Sequence, residues 1–321
     1  MNRLRWIDIA KGLGISLVVL AHSRWGSTGY VGHWITAFHM PLFFILAGLC
    51  FDESRYPSLV AYARRKGIAL LYPYVTLSLL AVLVSLCFNY GDECCPSSML
   101  SELTHRPFIN IAPLWFVQVL LIIELGYASL AKMTDKITVR LGLGIIFPLL
   151  GFRLHGLGVW PLDVACVAMV FYVIGHVMRE VVNSVRLVAW VGFVLLVFYS
   201  VLIALIPYSS SMAILDIPNK VAYFPMAVLG SFAIAFLSRV IDGFSTVLDQ
   251  IINFIAWLGK NSIVILVMHP MLGICRKSWL TMGMNGVLAQ LSEILLLGLI
   301  CYLLSGPLKI LVRPSWKKRG A

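Results

Sequence analysis

The stretch Trp6–Arg24, WIDIAKGLGISLVVLAHSR, decides the fold. It is long and apolar enough to begin a membrane-crossing helix, yet it carries Asp8, Lys11 and His22. Ionisable groups at bilayer depth are costly and are retained where they face a protein interior or a wet cavity. The opening therefore predicts a membrane protein with chemistry inside its helices. A secretory signal is the rival reading, favoured by Arg3 and Arg5. Against it, Lys11 interrupts the apolar region and no small-residue cleavage site follows.

The whole chain has the same character. Of its 321 residues 60% are hydrophobic and 12% charged, with a mean hydropathy of +0.92, whereas soluble domains carry about 25% charged residues. A soluble core this apolar would lack a polar coat. Apolar runs lie near 7–24, 32–51, 67–88, 112–131, 137–152, 159–177, 187–206, 221–237, 251–274 and 287–311. Runs this long and continuous exclude alternating barrel strands, and backbone polar groups in lipid demand helices. The expected fold is an all-α polytopic bundle of about ten transmembrane helices over 1–312, with a short basic cytoplasmic tail at 313–321.

Ten spans put both termini on one side. Lys and Arg in the flanks number 16 there, among them Arg3, Arg5, Arg64, Arg65, Lys66, Arg179, Arg239 and Lys317–Arg319. The opposite side has six: Arg24, Arg106, Arg153, Lys220, Arg276 and Lys277. The basic excess marks the cytoplasm, so both termini are expected inside. Net charge of +11 then reflects topology and anionic lipid rather than a nucleic-acid footprint.

No Walker loop, dinucleotide-binding glycine motif, zinc motif or GxSxG elbow occurs, and the seven cysteines have no metal spacing. Cys94 and Cys95 lie in an expected external loop where an oxidising compartment would pair one of them, with Cys87 as a candidate. Gly12 and Gly14, and Gly142 and Gly144, read as small residues that let helices approach closely.

Polar residues within the spans sort by depth. His22, His39, Trp115, Asp163 and His269 fall in the expected outer half. Asp8, Lys11 and the Arg64-Arg65-Lys66 run fall at the inner mouth. Lys11 and His22 are eleven positions apart, which is ~16 Å along a helix and three turns, so they share a face. Blander readings stand beside these. His22 suits an interface, His39 satisfies backbone freed by Pro41, Asp8 pairs with Lys11 or Arg5, and the basic run anchors topology. His33, His105, His155 and His176 read as structural.

Several separated stretches resemble the membrane-bound acyltransferase 3 family. Arg5-Trp6-Ile7-Asp8-Ile9-Ala10-Lys11-Gly12 running to His22 is similar to its first helix. Phe38-His39-Met40-Pro41-Leu42-Phe43-Phe44-Ile45-Leu46-Ala47-Gly48 is similar to its second. Arg64-Arg65 with Leu71-Tyr72-Pro73-Tyr74, then Pro113-Leu114-Trp115-Phe116, Tyr172 to Gly175, Leu258-Gly259-Lys260-Asn261-Ser262 and Met268-His269-Pro270 resemble later elements. The nearest flavour is the fucose 4-O-acetylase-like group. Lys11 departs from the Arg of many relatives, keeping the charge without the planar two-pronged donor.

The resemblance implies an O-acyltransferase in a bacterial cytoplasmic membrane, moving an acetyl group from acetyl-CoA, as co-substrate and without metal, to a hydroxyl of a glycan or lipid-linked saccharide. Lys11, Arg64, Arg65 and Lys66 would hold the CoA phosphates. His22 would act as general base or take the acyl group itself, with His39 a further catalytic candidate. Glu124 or Asp163 would orient the ring, and Trp115 or the amides near Asn261 and Ser262 would stabilise the oxyanion. Asp8 and His269 are further candidates on the substrate side. The external loop 89–111 is a candidate lid. A transporter of a small polar solute is the alternative, because buried charges and proline-broken helices also mark transport pathways.

Overall fold

The computed structural model describes residues 4–23, 29–52, 56–87, 115–134, 136–159, 161–184, 188–206, 210–244 and 248–312. Among these it is helical, with no strand beyond an isolated bridge between Ser211 and Asp216. The helices are α1 (Arg5–Ala21), α2 (Gly29–Thr36), α3 (His39–Leu49), α4 (Leu59–Cys87), α5 (Trp115–Met133), α6 (Ile137–Leu154) and α7 (Leu162–Val177). They continue as α8 (Arg179–Ser184), α9 (Val188–Leu205), α10 (Lys220–Gly243), α11 (Asp249–Lys260), α12 (Ser262–Thr281) and α13 (Gly286–Ser305). The loop with Cys94 and Cys95, expected to be external, and the basic tail from 313 lie outside the described residues.

The expected ten runs all fall on helices. Five stretches are long and apolar enough to cross a membrane: Gly29–Leu49, Trp115–Met133, Ile137–Leu154, Lys220–Gly243 and Gly286–Ser305. A bent pair, Asp249–Lys260 with Ser262–His269, raises the number to six. The expectation of ten is thus met only in part. At 17 residues with Arg5, Asp8 and Lys11, α1 is short and charged, and α7 has only 16 residues. The ninth run, expected as one span over 251–274, is instead broken by a 70° bend at Asn261.

The chain divides into two compact units, one of Met1–Leu59 with Ile122–Ser262 and one of Val60–Leu121 with Ile263–Ala321. In the first, α1 packs on α11, α10 and α3, while α7 packs on α3 and α6, and α9 on α10. Two of these seams are backbone on backbone. A Cβ placed on Gly12 would lie 2.0 Å from the Ile255 carbonyl oxygen, and one on Gly259 only 1.8 Å from that of Asp8. Likewise Gly48 and Gly175 would drive a Cβ to 2.0 Å from Tyr172 O and 2.1 Å from Ile45 O. Lipid tails are as apolar as leucine, so helix association in a membrane relies on such close approach rather than on hydrophobic burial. Gly142, expected in the same role, faces nothing within 4 Å.

In the second unit, α4 is tied by Tyr72, whose hydroxyl donates to Ile310 O at 2.6 Å. Gln118 of α5 donates to the Tyr74 hydroxyl at 2.6 Å.

Gly259→Val forces a side chain into a carbonyl that cannot yield, and overpacking costs about 1–3 kcal/mol even where neighbours relax. Detergent gel filtration and thermal melting should show aggregation or a clear drop in Tm for Gly259→Val, with Gly142→Ala indistinguishable from wild type.

Candidate functional site

His22 caps the C-terminus of α1, and its Nδ1 lies 2.8 Å from the Val18 carbonyl oxygen. His39 is the first residue of α3, with Nδ1 3.1 Å from Ile35 O. The two imidazoles are near enough to interact electrostatically. A carbonyl only accepts, so each Nδ1 carries a proton and, in the neutral ring, Nε2 keeps the lone pair. Both rings are thereby held in the tautomer that a general base at Nε2 requires.

The seat of His39 is the break between α2 and α3. Phe38, at the break, packs edge-on against Trp34 and Tyr199, with ring centroids 5.2 and 5.4 Å away. Gly230 of α10 leaves room for the Phe38 ring, which a Cβ there would meet at 2.8 Å. Trp34 Nε1 donates to Ser200 Oγ at 3.0 Å, and the Tyr199 hydroxyl donates to Trp34 O. Pro41 falls in the first turn of α3, where its missing N–H costs nothing.

Asp8 is buried and Lys11 half-buried in α1, whose Ile9, Gly12 and Leu13 face α11. Arg5 reaches Asp249 at 3.2 Å and Asp242 at 3.5 Å. Asn261 ends α11 at the bend, and its side-chain amide donates to Trp257 O at 2.9 Å.

Glu124 belongs to a different cluster of the first unit. It is buried and accepts from the Tyr172 hydroxyl at 3.0 Å. Tyr127, one turn along α5, bonds His176 Nδ1, and the Phe51 ring packs edge-on to Tyr127, Tyr172 and His176. Arg179 donates to Phe51 O at 2.9 Å. A cavity of about 910 Å³ opens here, lined by Ile137, His176, Val177, Arg179, Glu180, Asn183 and Ser184. His176 was expected to be merely structural. The signal for it lies in spacing: Tyr172 and His176 share one face of α7 at four residues, as Glu124 and Tyr127 share one of α5 at three.

Asp163 stands in the first turn of α7, where its carboxylate meets His155 Nδ1 at 3.1 Å and the Val164 amide at 2.8 Å. His155, another expected structural residue, is thus its partner. In the second unit, Arg64 and Arg65 are exposed and Lys66 lies over the Tyr62 ring at 5.4 Å. Trp115 opens α5, buried and edge-on to Phe116. His269 is buried in α12, and its Nδ1 lies 2.9 Å from Ile265 O, the same tautomer-fixing contact made by His22 and His39. No group of three or more His, Cys, Asp or Glu suited to a metal ion occurs among the described residues.

An acyltransferase domain, that of the acyltransferase 3 family, matches residues 4–309. The chain belongs to the acyltransferase 3 family. No curated protein and no solved structure matches it. Family membership and the long apolar helices together make the chain a membrane acyltransferase. The match begins just before α1 and runs past α13, so both histidine-bearing helix ends and the broken pair α11–α12 lie within the domain.

Selective ¹⁵N labelling of the histidines should show the pyridine-like nitrogen of neutral His22 and His39 at Nε2, by long-range coupling to the ring protons. A pyridine-like Nδ1 on either ring would contradict the geometry.

Proposed function

We propose that the protein transfers an acetyl group from cytoplasmic acetyl-CoA to a hydroxyl of a glycan or lipid-linked saccharide at the membrane. The observation that carries this reading is the pair His22 and His39, both fixed through Nδ1 with Nε2 as the basic nitrogen, in a chain of this family. His22 Nε2 takes the proton of the acceptor hydroxyl as that oxygen attacks the thioester carbonyl. CoA leaves as the thiolate and is protonated. The alternative, an acyl group carried on His22 itself, uses the same nitrogen.

Donor binding follows the inner positive charge. Lys11 shares the His22 helix and is half-buried, and Arg64 and Arg65 are exposed cations suited to phosphate. With both termini inside, as the loop charges imply, these groups face the cytoplasm, where acetyl-CoA is found, in the inner membrane of a bacterium. Asp8 of α1 and Asn261 at the end of α11 serve as substrate-side groups, as do Trp115 and His269 of the second unit. Glu124, bonded to Tyr172, and Asp163, bonded to His155, are taken here as supporting acids.

A transporter remains the second reading because of one feature, the 70° break at Asn261, since broken helices often form solute sites.

Membrane vesicles given radiolabelled acetyl-CoA should label saccharide with wild type, and His22→Ala should lose about 10²–10⁴-fold of that rate, the usual share of a general base. Lys11→Gln should raise the KM for acetyl-CoA several-fold with a smaller change in kcat. No labelling by well-folded wild type across a panel of saccharides, together with saturable solute uptake, would replace the first reading by the second.

A further inference from the structure

The 910 Å³ cavity of the first unit has no part in the chemistry above. Its size suits a small-molecule ligand rather than a bare ion. Arg179, Glu180, Asn183 and Ser184 line it, with Ile137 and Val177 as apolar walls. Its place in the fold is the first clue. Ile137 is the first residue of α6, four positions after α5 ends at Met133, and both helices are long and apolar enough to cross a membrane. Val177 is the last residue of α7. The cavity therefore opens where helices leave the hydrocarbon, at the level of the lipid headgroups.

The lining carries both signs of charge, held apart. Arg179 is fixed by donating from Nη1 to Phe51 O at 2.9 Å, and its planar fork carries further N–H donors, the arrangement that meets phosphate oxygens. Glu180 is the next residue, and consecutive helical positions do not face each other. Among the described residues Glu180 makes no ion pair. At spacings of three and four, Asn183 and Ser184 share its face of α8. Their amide and hydroxyl oxygens, with the Glu180 carboxylate, give acceptors for the N–H groups of an ammonium. Apolar surface surrounds these groups: Met133 and Val139, on either side of Ile137 in sequence, and Val181, next to Glu180, are all exposed. A water-soluble zwitterion makes no use of such a surround, whereas a lipid does.

We infer that this cavity binds the headgroup of an ethanolamine phospholipid, with the phosphate on Arg179, the ammonium on Glu180, Asn183 and Ser184, and the acyl chains running over Ile137 and its exposed apolar neighbours. An anionic lipid would set its net charge against Glu180, and a choline head would bring no N–H to the acceptors. The site uses residues of the first unit alone and is independent of the acyl-transfer reading.

Native mass spectrometry of the full chain, released from detergent with graded amounts of dioleoyl phosphatidylethanolamine, phosphatidylglycerol or phosphatidylcholine, tests it. Wild type should retain phosphatidylethanolamine about tenfold more tightly than either of the others, the usual worth of a hydrogen bond to a charged group. Glu180→Gln should abolish that preference, and Arg179→Gln should weaken phosphatidylethanolamine binding by about tenfold or more. Asp216→Asn, at an exposed carboxylate on another segment, should keep both affinity and preference. Equal retention of the three lipids by wild type, tighter binding of phosphatidylglycerol, or a preference that survives Glu180→Gln overturns the proposal. Soluble phosphoethanolamine and inorganic phosphate, added as competitors, should displace the lipid only in large excess. Displacement by either at equal concentration would make the occupant a soluble zwitterion or a phosphate anion and overturn the lipid assignment. If Arg179→Gln, which also loses the Phe51 bond, fails gel filtration, Glu180→Gln decides.

Discussion

Backbone contact between α1 and α11 is the constraint on which the site depends. With no hydrophobic drive separating helix from lipid, the seam is held by dispersion and close carbonyl approach, which need the absent side chains of Gly12 and Gly259. Because α1 is one rod, seating it at Gly12 also places Lys11 beside the seam and His22 ~16 Å further along. The Gly48–Gly175 seam does the same for α3 and α7, setting Tyr172 and His176 against Phe51. Two pairs of glycines thus set the heights of α1 against α11 and of α3 against α7, and with them the polar groups those helices carry.

Five of the twelve candidate residues stand at helix ends. His22 follows α1, His39 and Trp115 begin helices, Asn261 ends α11, and Asp163 lies in a first turn. Helix termini leave carbonyls and amides without intrahelical partners, and in lipid each must find another. His22 and His39 stand at such ends, and the Val18 and Ile35 carbonyls, which also accept backbone amides, take up Nδ1 and leave Nε2 as the basic nitrogen. Asp163 uses the opposite end, accepting an amide at the start of α7. Local backbone chemistry and the orientation of these side chains are therefore one problem with one solution.

This explains what could be read from the residues alone. Apolar runs reported the helices, because lipid leaves no other way to satisfy the backbone, and the charges inside Trp6–Arg24 reported where polarity would gather. The bend at Asn261 was not read although Gly259-Lys260-Asn261-Ser262 interrupts the apolar run: no proline stands at the break, where Asn261 caps carbonyls of the preceding turn. Partner choice was equally hidden. Asp163 and His155 are eight residues apart across a turn, and Glu124 meets Tyr172 from a helix 48 residues away. Spacing can name the face of one helix, but it says nothing about which other face will meet it. Gly142 and Gly12 look alike in sequence for the same reason, although only one touches a neighbour.

The seam and the bend are also coupled. Gly259 lies two residues before Asn261, so the glycine that seats α11 on α1 sits in the last turn before the break. That turn carries the carbonyl end of α11, whose partial negative charge extends over about one turn. Its contact with the Asp8–Gly12 segment brings that end to the level of Lys11 along α1. An unbroken α11–α12 would have its carbonyls consumed by the next turn and offer no such end. The break and the seam are therefore set within one turn of helix: α11 ends where Gly259 seats it on α1.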